Sequence, residues 1–118
     1  MTGAAAIAPL PWPLRVAANP GYEALAAVLD LALEQAQAGK GAERHALAGE
    51  PYQDQQIVQL GEWLDSTAFA VGQACKKAIE STRLPHDRAR AELLGAINYL
   101  AAAVIQLDRA AGKGAGRG

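Results

Sequence analysis

Hydrophobic residues recur along this chain with helical spacing, and no stretch alternates in the manner of a half-buried strand. The clearest pattern lies in residues 87–109, where Leu93, Ile97, Leu100, Val104 and Leu107 follow at steps of four and three. Those steps place five side chains on one face of a helix, and the pattern predicts that this face is buried. Leu94, Ala101 and Ile105 widen it, and the run Ala101, Ala102, Ala103 lets a neighbour approach closely. A second long helix is expected over 54–82, opened by Asp54 as N-cap, with Ile57, Leu60, Leu64, Ala68, Val71, Cys75 and Ile79 as its buried stripe. Gly61 and Gly72 interrupt it. Each costs about 1 kcal/mol of helix propensity relative to Ala, so each marks a close helix contact or a bend. A shorter helix is expected over 21–38, with Leu25, Val28, Leu29, Leu31 and Leu33 as core candidates and Gly39 as its stop.

These elements predict an all-α fold: a helical hairpin of two long helices, broken at Leu84-Pro85-His86, plus a shorter N-terminal helix. Four prolines, Pro9, Pro11, Pro13 and Pro20, make residues 1–20 an extended arm, which is either disordered with an incidental Trp12 or packs Trp12 on the body or on a neighbouring subunit. Residues 21–110 form the helical domain, and 111–118 a flexible Gly-rich tail. A domain of that size buries a modest core, so assembly as a homo-oligomer is expected.

Charge and composition narrow the picture further. The 118 residues carry a formal net charge of −1, which excludes a general nucleic-acid coat, since that needs a large basic excess. Cys75 is the only cysteine, so neither an intramolecular disulfide nor a thiolate metal site can form, and its apolar position reads as core. The apolar N-terminal stretch has no basic lead, and no run is expected to reach the roughly 18 apolar residues of a membrane span. A soluble cytoplasmic protein without a membrane partner is the expectation.

Candidate chemistry gathers in two places. Lys40, Arg44 and His45 sit in a glycine-flanked loop where backbone amides and cations can meet an anion, although GxxxxGK[ST] spacing is absent. The alternative is a helix C-cap followed by a solvated linker. Lys76, Glu80 and Arg83 stand four and three apart, which suits either surface ion pairs or a phosphate clamp in which Glu80 orients Arg83. Asn98 falls on an apolar stripe, as a register contact between identical helices or as a hydrogen-bonding partner of a ligand base. Tyr52 and Tyr99 suit stacking on a base or interfacial packing. There is no GxSxG or HExxH, and His45 and His86 lack metal-ligand spacing, so no catalytic residue and no cofactor is expected.

The segment Glu92-Leu-Leu-Gly-Ala-Ile-Asn-Tyr-Leu100 resembles the all-α nucleotide pyrophosphohydrolases of the MazG type, which carry magnesium-binding carboxylates on such a helix. Aligned through Gly95, that family's aspartate falls on Ala96 and its adjacent glutamate on Leu93, leaving Glu92 alone. Its ExxE is also missing, because Glu80 is followed at three by Arg83. The longer span 39–107, with GKGAERHA, Asp54-Gln-Gln-Ile57, Lys76-Lys77, Glu80-x-x-Arg83-Leu84 and ELLGAINYLAAA, resembles small helical proteins of phages and prophages. Proteins of that size and class include oligomeric sponges for nucleotide immune signals.

Three functions follow as expectations. The first is non-catalytic binding and sequestration of a phosphorylated nucleotide, a cyclic oligonucleotide or an ADP-ribose derivative, by Lys40, Arg44, His45, Lys76 and Arg83 between subunits. The second is a protein-binding adaptor whose apolar helices engage another protein. The third is a degenerate MazG-like pyrophosphohydrolase.

Overall fold

The computed structural model describes residues 17–38 and 50–117. Among them the backbone forms α1 (Glu23–Ala38), one 3-10 turn (Tyr52–Asp54), α2 (Gln56–Leu64), α3 (Ala68–Ser81) and α4 (His86–Arg117), with no strand. The all-α expectation holds. The arrangement of the elements differs from the expected hairpin of two long helices.

The helix expected over 54–82 is two helices. Asp65 adopts a left-handed conformation, φ 54° and ψ 42°, at the C-cap of α2, and the next helix starts only at Ala68. Asp, Ser and Thr are consecutive here, and their short polar side chains compete with the helix for backbone groups. Ser66 Oγ accepts from the Ala68 amide at 3.0 Å and so serves the first turn of α3. At the other end, Gln55 rather than Asp54 is the N-cap of α2; its side chain is turned back to donate to the Glu50 carbonyl at 3.0 Å.

Thr82, Arg83 and Leu84 wind down α3 with backbone bonds to Ile79, Glu80 and Ser81, and Pro85 cannot continue the helix. The Pro85 carbonyl then accepts from Ala89 and opens α4. That helix passes the end expected near 110, so residues 111–117, expected as a flexible tail, have helical backbone.

Helices α3 and α4 run antiparallel, as the pairing of Lys77 with Glu92 and of Phe69 with Tyr99 requires. Helix α1 is also antiparallel to α4: Asn98 reaches Ala32, and Gln35 reaches the Ala91 carbonyl one to two turns earlier. The core where α2, α3 and α4 meet holds Ile57, Val58, Ala70, Ala74, Ala96, Tyr99, Ala102 and Ala103, with Tyr52, Phe69 and Ile105 against it. Alanine dominates, so the helix backbones approach closely and little large apolar surface is buried within the chain.

The stripe expected to be buried on α4 faces outward. Leu93, Leu100, Val104 and Leu107 retain 47%, 48%, 56% and 60% of their accessible surface, and Ile97 is half-buried. The inward row is instead Ala96, Tyr99, Ala102, Ala103 and Gln106, turned by about 120° at roughly 100° per residue. Of the residues expected to widen the face, Leu94 is buried, Ile105 half-buried and Ala101 exposed. Similar reversals occur elsewhere. Of the stripe expected over 54–82, Ile57 is buried and Leu60 half-buried, whereas Leu64, Ala68, Val71, Cys75 and Ile79 are exposed. On α1 the buried residue is Ala32, while Leu25, Val28, Leu29 and Leu33 are exposed and Leu31 is half-buried.

Over residues 86–112, α4 is long and apolar enough to cross a membrane by length and composition, contrary to the expectation that no run would be. A third of that apolar window is buried in the bundle, and Glu92, Asn98, Gln106 and Arg109 all bond to other elements.

Candidate functional site

The expected cation cluster is only partly within the described residues. Lys40, Arg44 and His45 lie outside them, as does Trp12. Lys76 and Arg83 are exposed and Glu80 is half-buried, on or just past the last two turns of α3. Neither the Lys76–Glu80 nor the Glu80–Arg83 ion pair forms among the described residues; the contact between Glu80 and Arg83 is the backbone bond from Arg83 N to Glu80 O at 3.0 Å. Both cations thus remain open to an external anion.

Lys77, one residue on, turns inward instead. Its stem crosses Gly95, where an added Cβ would lie 3.2 Å from Lys77 Cδ. Its ammonium reaches Glu92 Oε2 at 3.3 Å and stands 5.8 Å from the centre of the Tyr99 ring. Glu92, the one carboxylate left from the pyrophosphohydrolase resemblance, is therefore already paired. Among the described residues no three His, Cys, Asp or Glu side chains gather closely enough to hold a metal ion.

Asn98 and Tyr99 hold the bundle together. Asn98 Nδ2 donates to the Ala32 carbonyl of α1 at 3.0 Å, and the Asn98 carbonyl accepts from Tyr52 Oη at 2.6 Å. One residue thereby ties α1 and the 3-10 turn to the middle of α4. Tyr99 is buried edge-on to Phe69, with ring centroids 6.3 Å apart and planes at 73°. No face of it is free to stack on a base. Burial of Tyr52 raises its phenol well above the usual tyrosine value, and the nearby Tyr99 adds to the rise.

Two further polar centres escaped the sequence pattern. Buried Gln106 donates from Nε2 to the Gly61 carbonyl at 3.0 Å. Arg109 bonds to the Gln53 carbonyl, pairs with Glu62 at 3.1 Å and approaches Asp54 at 3.8 Å. A Gln and an Arg a helical step apart in an apolar helix are the available signal, but their partners lie about 45 to 56 residues away and no local rule finds them.

Large apolar side chains also stand on the surface of the described residues. Trp63, 69% exposed, and Leu64 cap the end of α2. The outer row of α4 continues onto α3 through Val71, Cys75 and Ile79. On both helices the outer row is offset from the buried row in the same rotational sense. In an antiparallel pair that offset brings the two rows to one side of the hairpin. No family model, curated protein or solved structure matches the chain.

Proposed function

We propose that this chain is a non-catalytic, self-associating adaptor that works in the cytoplasm and binds another protein through exposed apolar helix surface. The single observation that supports the reading most is the placement of large side chains: Trp63, Leu64 and the Leu93–Leu107 row stand outside, while alanines fill the core. Exposed apolar area of this extent on a small chain marks interaction surface, and an exposed tryptophan is the residue type most often dominant in a protein interface. The pairing of Glu92 with Lys77 further favours binding over magnesium-dependent hydrolysis.

The test is recovery of bound protein by the full chain and by two variants. Trp63→Ala is expected to lose the partner, and Lys76→Glu with Arg83→Glu to keep it. The opposite outcome contradicts the adaptor.

A second reading, sequestration of a phosphorylated nucleotide, draws support from one observation: Lys76 and Arg83 are exposed cations with no carboxylate partner among the described residues. It expects thermal stabilisation by a cyclic dinucleotide, cyclic trinucleotide or ADP-ribose isomer, abolished by Arg83→Glu. No shift with any of these compounds contradicts it.

A further inference from the structure

We propose that the outer row of α4 is the self-association face, and that two copies pair through it antiparallel about a two-fold axis near residue 99. This rests on the self-association proposed above and adds its face and geometry. The row Leu93, Ile97, Leu100, Val104, Leu107 keeps the alternating steps of four and three that define a coiled-coil seam, about 21 Å long at 1.5 Å per residue. It is flanked by small Ala101 and by the Val71, Cys75 and Ile79 row of α3, and no charged residue interrupts it.

The occupant is identified by the charges at its ends. Arg90 precedes the seam and Asp108 follows it. They are eighteen residues, or five whole turns, apart, so they share one face about 27 Å from each other. Both are exposed, and neither has a hydrogen bond or ion pair among the described residues. Reversing the helix exchanges the two positions. A second copy laid antiparallel therefore sets Arg90 of each chain beside Asp108 of the other, while Leu93 meets Val104 and Ile97 meets Leu100. Four of the five seam residues thus exchange with one another, as an isologous interface requires, and Leu107 lies at the edge beside Arg90 and Ala91 of the other copy. A parallel copy would instead set Arg90 beside Arg90 and Asp108 beside Asp108.

The experiment is sedimentation equilibrium on the full chain and four variants, with helix content followed by circular dichroism. The wild type is expected to be a dimer, and Leu100→Glu a monomer of unchanged helicity. Arg90→Asp and Asp108→Arg are each expected to weaken the dimer roughly tenfold, since two exposed attractions become two repulsions. Together they are expected to restore it to within about twofold. A monomeric wild type would overturn self-association altogether. A dimer that survives Leu100→Glu would overturn this face while leaving self-association standing. Failure of the double variant to recover would overturn the antiparallel geometry. Flotation of the wild type with phosphatidylcholine vesicles, lost in Leu100→Glu, would assign the face to a bilayer and overturn the pairing.

Discussion

Gln106 and Gly61 are fitted to each other: the Gln106 amide donates to the Gly61 carbonyl at 3.0 Å, and a methyl group on Gly61 would overlap Gln106 Oε1. The glycine brings α2 against α4 and leaves space for a buried amide. Gly61→Ala is therefore expected to cost about 1–3 kcal/mol, from a displaced and unsatisfied glutamine. In a Gln106→Ala background the same change should cost less, because alanine gains about 1 kcal/mol of helix propensity and the severe overlap is gone, leaving the Ser66 carbonyl oxygen at 3.2 Å as a close neighbour. Denaturant unfolding of the four proteins in this cycle checks the coupling. Additive costs would refute it.

Asn98 holds α1 from a distance of 66 residues in sequence. Asn98→Ala should lower stability by about 1 kcal/mol. It should also raise amide hydrogen exchange in residues 23–38 more than in α3, because the Asn98 bond to the Ala32 carbonyl, like that of Gln35 to the Ala91 carbonyl, joins α1 to α4. Uniform loss of protection across the bundle would contradict this local role.

Tyr52 makes the fold sensitive to alkali. Its folded value is raised above the unfolded value of about 10, so the stability it confers is complete below about pH 10 and is lost as the pH rises past that point. Tyr52→Phe should be about 1 kcal/mol less stable than wild type at pH 7, through loss of the bond to the Asn98 carbonyl. That gap should narrow or reverse above pH 10. Unfolding free energies across this range, alongside tyrosinate absorbance, test it; a constant gap would argue against the buried phenol.

Lys76 and Arg83 contribute to surface, not to the fold. Lys76→Ala and Arg83→Ala should each leave stability within about 0.5 kcal/mol of wild type. Thermal unfolding reads this directly. A larger loss would show that these cations have structural partners.

Helix type and the break at Leu84-Pro85 were legible in the sequence because propensity and proline act locally. The choice of buried face was not. Helix α4 carries two apolar rows, one of Leu, Ile and Val and one rich in Ala, and hydrophobicity alone favours the larger residues. Close packing of α2 and α3 instead selects the alanines, which admit neighbouring backbones. The break at Asp65 was concealed for a different reason: the apolar steps continue through Leu64 and Ala68 with helical spacing, although a left-handed residue lies between them. Asn98 and Tyr99 stood out in the sequence as unusual residues, but their partners Ala32, Tyr52 and Phe69 are set by tertiary contact. The pattern could mark them as important without distinguishing a packing role from ligand contact.

The most direct measurement of the central claim is the solution mass of the full chain compared with Leu100→Glu, a substitution at an exposed position. The account predicts twice the 12.3 kDa chain mass for the wild type and the single-chain mass for the variant, with helix content unchanged. Equal masses for the two proteins would contradict it.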